Sequence, residues 1–300
     1  VRDLFSRFGS PLVTAFRKPK TRLSAGFWFK KGVRNPFSEK GFLTPFFSYL
    51  SLISAEYAVM MGRPLRTDLG DMFYHVINRG NFRSLLFAND SEYSDFINIL
   101  SEALVITPMR IVAYCLMPNH WHMILHPTND GDLSKFIRWI TLTHTQRYHA
   151  KTKTVGHGHI YQGRYKSFLI GNDVYFNNVF RYVEANAKRA KMVDRAELWP
   201  WSSAYARIHA EATGGQDRIL KGSWNSYLDA KNPKEYLDWL NGGWGDGAVT
   251  DEIENIRKSV QRGRPYGSEA WMAAAIERFS LEGTIRDPWR PKKVSPQKGS

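Results

Sequence analysis

From Met72 onward the apolar and polar positions fall into regular periods. Met72 to Asn78 alternates as a strand does and stops at the turn signal Arg79-Gly80-Asn81. Asn89 or Asp90 can then cap a helix whose apolar positions Phe96, Ile97, Leu100 and Leu104 recur at helical spacing and which ends before Pro108. Met109 to Met117 is a β-branched-rich second strand, Pro118-Asn119 a turn, and the stretch from His120 through Met123-Ile124-Leu125 a third strand. A second amphipathic helix starts at Asp132 or Ser134 and runs through Phe136, Ile137, Ile140 and Tyr148. A Gly/Thr/His-rich loop leads to a strand from about Gln162 to Ile170. A helix capped by Asn172 or Asp173 then runs to about Lys191.

The order strand, helix, strand, strand, helix, strand with one more helix predicts an α+β fold. It is the ferredoxin-like split βαβ arrangement, an antiparallel sheet with helices on one face and the histidine strand central. Residues 61–205 form this core. Residues 1–60 are rich in Arg, Lys, Ser and Phe and lack a clear period, and they read as an addition: a leader, or sequence upstream of a start at Met60-Met61. Residues 206–300 read as a mostly helical, basic accessory, with two short helical stretches around Arg262-Gly263-Arg264-Pro265.

Charge narrows the partners. The 300 residues carry 42 Lys and Arg against 28 Asp and Glu, a net charge of +14, which suits a polyanion. The one cysteine, Cys115, lies in an apolar run and reads as a small buried hydrophobe. No cysteine cluster exists for a zinc finger, and no uninterrupted apolar window of membrane-spanning length is present.

Candidate chemistry starts at His120-Trp121-His122. Side chains two apart on a strand share a face, so the two imidazoles stand about 6.6 Å apart and can converge on one cation. His126 shares the face but lies about 13 Å from His122, too far to join. On the last core helix Tyr182 and Asn186 are four residues apart and project from one side. Two imidazoles and a carboxamide oxygen make a donor set for Mg²⁺ or Mn²⁺ that leaves positions open for water and phosphate.

Asn119-His120-Trp121-His122, Tyr182 with Asn186, and Arg63-Pro64-Leu65-Arg66 ahead of Tyr74-His75-Val76-Ile77-Asn78-Arg79-Gly80-Asn81 together resemble the single-tyrosine HUH transposases, specifically the REP-associated tyrosine transposases of bacteria. The resemblance covers about residues 61–205. Trp201-Ser202-Ser203-Ala204-Tyr205, Arg262 to Gly267 and the basic tail are similar to the longer branch of that group. Two departures bear on Asn186: Ala187 follows it where relatives commonly have proline, and insertion-sequence relatives tend to have Gln in its place.

The resemblance implies cleavage and rejoining of single-stranded DNA at repetitive palindromic hairpins through a 5′-phosphotyrosine. Tyr182 is then the nucleophile and His120, His122 and Asn186 hold the divalent metal. It implies a bacterial, cytoplasmic, nucleoid-associated protein, monomeric or a homodimer, with no membrane partner. Phosphate and base contacts are expected from Arg79, Asn81, Phe82 and Arg83 in the first turn and from Arg164 and Lys166 before the last strand. Arg181, Lys188 and Arg189 around the nucleophile helix, and Arg264, Arg290, Lys292 and Lys293 in the extension, complete the set. Two other readings use the same residues: a DNA-binding protein without catalysis, and a metal-dependent phosphodiester hydrolase that activates water.

Overall fold

The computed structural model describes residues 67–171, 173–213, 219–220, 232–242 and 248–285. Four strands form one antiparallel sheet in the order β2-β3-β1-β4, with β1 Tyr74–Arg79, β2 Met109–Met117, β3 His120–Pro127 and β4 Lys166–Leu169. This is the split βαβ order, with the histidine strand interior. The last strand is four residues long, not the nine its sequence suggests. Tyr161 makes only an isolated bridge to Gly80, and Gly163 at φ 155° turns the chain before Lys166 joins β1.

Two crossover helices cover one face. In α1, Asp90–Ile106, the Asn89 side chain accepts from the Glu92 amide while Glu92 Oε2 accepts from the Ala88 amide at 2.7 Å, a reciprocal cap. Its inner positions Tyr93, Phe96, Ile99, Leu100 and Ala103 are buried. The start of α2, Asp132–Thr152, is held by the Asp68 carboxylate, which accepts from the Leu133 and Ser134 amides at 3.0 and 2.8 Å. Leu133, Phe136, Ile137 and Ile140 of α2 meet Tyr74, Val76, Trp121, Met123 and Leu125 of the sheet in one core.

Under α2 the buried Trp121 indole donates to the Tyr161 hydroxyl at 3.3 Å, and that hydroxyl lies 2.7 Å from His144 Nδ1. Burial lowers the pKa of His144 to about 4. A folded value below the unfolded one means that the unfolded chain binds the proton more tightly, so stability is full above about pH 6.5 and drains as pH falls toward 4. Urea denaturation of the wild type at pH 7 and pH 5 is expected to show a loss from this group of about 2 kcal/mol. His144→Gln should lack that increment; equal losses in both proteins would assign the acid sensitivity elsewhere.

The opposite face is covered too. α3, Asp173–Glu184, packs against β2 and β3, and its residues Phe176, Val179, Phe180 and Val183 form a second core with Val112, Ala113, Cys115, Met117, Ile124 and Phe168. Helices on one face therefore describe α1 and α2 only. A bulge sets up this second core: the β2–β3 register shifts between Ile111 and Ala113, so Val112 is an extra residue and Cys115 and Met117 turn toward α3. Cys115 is buried, as its neighbours suggest.

Later segments of the chain close both edges of the sheet. The Leu116 amide donates to Trp201 O at 2.9 Å and the Trp199 indole to Leu116 O at 2.8 Å, which closes the β2 edge. The Tyr266 amide donates to Leu169 O at 2.9 Å and the Gly171 amide to Tyr266 O at 2.7 Å, which closes the β4 edge. Both open edges of the sheet are thus blunted by the chain's own later segments. The remaining helices are α4 Asn186–Arg189, α5 Ser203–Thr213, α6 Pro233–Asn241, α7 Ala248–Arg262 and α8 Glu269–Phe279.

Candidate nucleic-acid cleavage site

His120 and His122 start β3 on the face that α3 crosses, and their ring centroids are 5.1 Å apart. Asn119 Oδ1 lies 2.6 Å from His120 Nδ1, and His75 Nε2 lies 2.9 Å from His122 Nδ1. Each histidine therefore uses Nδ1 within the protein and keeps Nε2 for a ligand, the orientation that second-shell partners impose at metal sites. Burial lowers the pKa of His120 to about 4 and holds His122 well below the usual imidazole range, with the neighbouring His75 and His120 adding to the effect on His122. Both are neutral, the form that ligates a cation.

Tyr182 is almost wholly buried beside them, its ring centroid 5.6 Å from that of His122 in an edge-on contact. One turn on, Asn186 is buried and its amide Nδ2 lacks a hydrogen-bond partner. Two imidazole nitrogens and the Asn186 carboxamide oxygen are a donor set that fits a divalent cation with oxygen and nitrogen preferences. Among the described residues no three His, Cys, Asp or Glu gather as a metal cluster, so the third protein donor would be this amide.

The sequence reading missed His75. It is fully buried on β1, its ring 5.1 Å from His122 and 6.0 Å from Tyr182, and burial lowers its pKa to about 3. Alternation puts His75 and Ile77 on one side of β1, but only the cross-strand register, Ile77 opposite His122, shows that this side is the histidine side. If His75 fixes the His122 ring, His75→Phe should weaken Mn²⁺ binding about 10- to 100-fold by electron paramagnetic resonance titration. His75→Gln, which retains an acceptor, should recover most of it; equal affinity in all three proteins would remove His75 from the site.

The first-turn candidates follow β1 beside the start of the histidine strand. Gly80 donates its amide to Asn119 O and Asn81 to Ile160 O, both at 2.8 Å, which ties the turn to the histidine strand. A Cβ at Gly80 would meet Ser84 O at 2.2 Å, so only glycine fits. Phe82 and Arg83 both adopt left-handed backbone, φ 49° and 60°, and Phe82 is 94% exposed. Strain of this kind, held to present an apolar ring to solvent, is a mark of functional loops. Arg79 faces His120 in the strand register, and Arg164, Lys166 and Arg264 are exposed near β4.

Three of the basic candidates are engaged elsewhere. The Arg181 guanidinium donates to Gly242 O and Lys188 Nζ to Asn241 O at 2.5 Å, both at the C-terminal end of α6, where unpaired carbonyls attract cations. Arg189 turns inward onto Tyr182. Arg290, Lys292 and Lys293 lie outside the described residues. Of the other tyrosines near the site, Tyr175 packs edge-on against Tyr266 at 5.2 Å.

Comparison with known proteins finds matches over part of the chain. The family described as "Transposase IS200 like" matches residues 69–186. A Haemophilus influenzae protein named as a REP-associated tyrosine transposase is 27% identical over 173 residues, 52% of this chain and 94% of its own length. Among solved structures, a REP-associated tyrosine transposase bound to a REP hairpin shares 21% identity over 54% of this chain and 93% of its own, with a TM-score of 0.42. A transposase from Deinococcus radiodurans shares 18% identity over 44% of this chain and 90% of its own, with a TM-score of 0.30.

Proposed function

We propose that this chain, whose residues 69–186 match the family described as "Transposase IS200 like", cleaves and rejoins single-stranded DNA at palindromic hairpins through a 5′-phosphotyrosine on Tyr182. The observation that carries this is the enclosure of the Tyr182 ring against His122 at 5.6 Å, with Nε2 of both histidines left uncommitted. His120, His122 and Asn186 would hold Mg²⁺ or Mn²⁺. When bound, the cation supplies Lewis-acid charge to the non-bridging oxygens of the scissile phosphate.

Tyr182 Oη attacks phosphorus, the bond to the 3′-oxygen breaks, and the proton lost by the phenol is balanced by the one the departing 3′-hydroxyl gains. The phosphotyrosine keeps the phosphodiester energy, so a second 3′-hydroxyl can reverse the step without a nucleotide cofactor. Burial excludes water that would hydrolyse the adduct. Phe82 can stack on an unpaired base. Arg79, Asn81 and Arg83, with the exposed Arg164, Lys166 and Arg264, offer phosphate contacts around it, and the Arg290, Lys292, Lys293 tail adds salt-sensitive affinity. We assign the protein to the bacterial cytoplasm, where the DNA it is proposed to act on lies. Among the described residues no helix is long and apolar enough to cross a membrane.

The test is incubation with a labelled single-stranded hairpin from the flanking genome and Mg²⁺ or Mn²⁺, followed by a denaturing gel and peptide mass mapping. The expected product is a DNA-linked peptide containing Tyr182, absent with EDTA. Metal-dependent cleavage with no adduct would mean water is the nucleophile, and binding with no cleavage would mean a non-catalytic binder.

A further inference from the structure

Arg189 sits against Tyr182, and among the described residues no acid pairs with it. Its Cζ lies 4.0 Å from the centroid of the Tyr182 ring, and its Nη1 donates to the Tyr182 carbonyl at 3.1 Å. That carbonyl needs a partner because the helix breaks at Ala185, between α3 and α4. Among the described residues Arg189 makes no ion pair. Burial lowers its pKa, and Arg257 nearby adds like charge.

A cation over a tyrosine face is attracted only weakly, and the half-buried Arg189 guanidinium gives up part of its hydration with no carboxylate beside it among the described residues. The ring contact alone therefore does not account for the charge, and an anion that is created or brought in at this position would. The Tyr182 ring also meets the rings of His75 and His122, with centroids 6.0 and 5.6 Å away, and Arg189 is the guanidinium over its face.

We propose that Arg189 is a positioning residue for the nucleophile: it clamps the Tyr182 backbone at the helix break and holds a positive charge against the ring on which negative charge develops during attack. This rests on Tyr182 being the nucleophile and replaces a role for Arg189 as a DNA-backbone contact. A DNA contact would set affinity. A clamp sets the rate of the covalent step at saturating DNA and leaves affinity alone.

The experiment measures hairpin affinity without metal, and the single-turnover rate of adduct formation at saturating hairpin with Mn²⁺, for wild type, Arg189→Met, Arg189→Lys and Arg189→Ala. Met keeps the packing against the ring, so it serves if Ala fails to fold. Expected is a fall of about 30-fold in the saturated rate for Met, equivalent to about 2 kcal/mol, with affinity within about twofold. Lys should fare little better, because one ammonium cannot reach ring and carbonyl together. Added guanidinium should restore Ala in part but not Met, whose side chain fills the space.

Weakened affinity with an unchanged saturated rate would overturn the proposal in favour of a DNA contact, and no change in either would overturn it outright. If the wild type itself forms no adduct, the proposed function fails, and the clamp is then decided by nuclear magnetic resonance. The Arg189 Nε–H signal should move on Tyr182→Leu as the ring current is lost, and an unmoved signal rejects the clamp.

Discussion

Tyr182→Phe is expected to abolish the protein–DNA adduct, a loss of at least about 10³-fold in covalent product, while hairpin affinity stays within about twofold. The attacking oxygen is removed, and four other tyrosines among the described residues are committed to contacts of their own. The Tyr161 hydroxyl is taken up by Trp121 and His144, Tyr74 bonds to Leu69, and Tyr236 bonds to Glu184. Tyr175 is turned toward Tyr266. The ring, which provides most of the buried area of Tyr182, is retained, so the variant should fold with a stability change of about 1 kcal/mol. The measurement is the denaturing-gel assay with hairpin and Mn²⁺, with anisotropy for affinity. Retained metal-dependent cleavage would show that water attacks and that Tyr182 is a packing residue.

The strand order and the pairing of His120 with His122 were legible because both depend on alternation, which is local. What depended on cross-strand register was not: His75 looks like any strand residue until Ile77 is seen opposite His122. The bulge at Val112, which turns Cys115 and Met117 toward α3, leaves no mark in an unbroken apolar run. The helix expected to continue to Lys191 breaks at Ala185 although no Gly or Pro lies between Asp173 and Lys191. The Arg189 side chain takes the Tyr182 carbonyl there, so the break depends on a side-chain contact as well as on propensity. Charge misled in a related way. Arg181 and Lys188 read as phosphate contacts, yet the carbonyls that occupy them belong to α6, more than fifty residues later. A basic residue facing DNA and one capping a remote helix look the same in sequence. The second helical cover of the sheet escaped for the same reason, since apolar spacing on α3 shows that it packs but not on which face.

Glu184→Ala is expected to lower stability by about 3–5 kcal/mol, a large share of the roughly 5–15 kcal/mol that holds a domain folded. Glu184 is fully buried two residues beyond Tyr182. Its Oε1 accepts from Ser203 Oγ at 2.5 Å and from Arg207 Nε at 3.3 Å, and its Oε2 accepts from the Tyr236 hydroxyl. Arg207 also donates to the carbonyl of Val112, the bulged residue of β2. One carboxylate therefore joins α3 to α5, α6 and the distorted strand. Burial pushes its pKa up, while Arg207 with Ser203 and Tyr236 pulls it down. The pair stands or falls together, because Ala at 184 removes the carboxylate that faces the buried Arg207 guanidinium and accepts from Ser203 and Tyr236. Urea denaturation of Glu184→Leu, Arg207→Met and the double variant decides this. Each single change should cost several kcal/mol, and the double should cost less than their sum by at least about 2 kcal/mol, since it removes both charges at once. Additive losses would mean that the two residues act separately. Coupling, in contrast, would make the later helices part of the support for Tyr182, and adduct formation should then fall in each single variant under conditions where it remains folded.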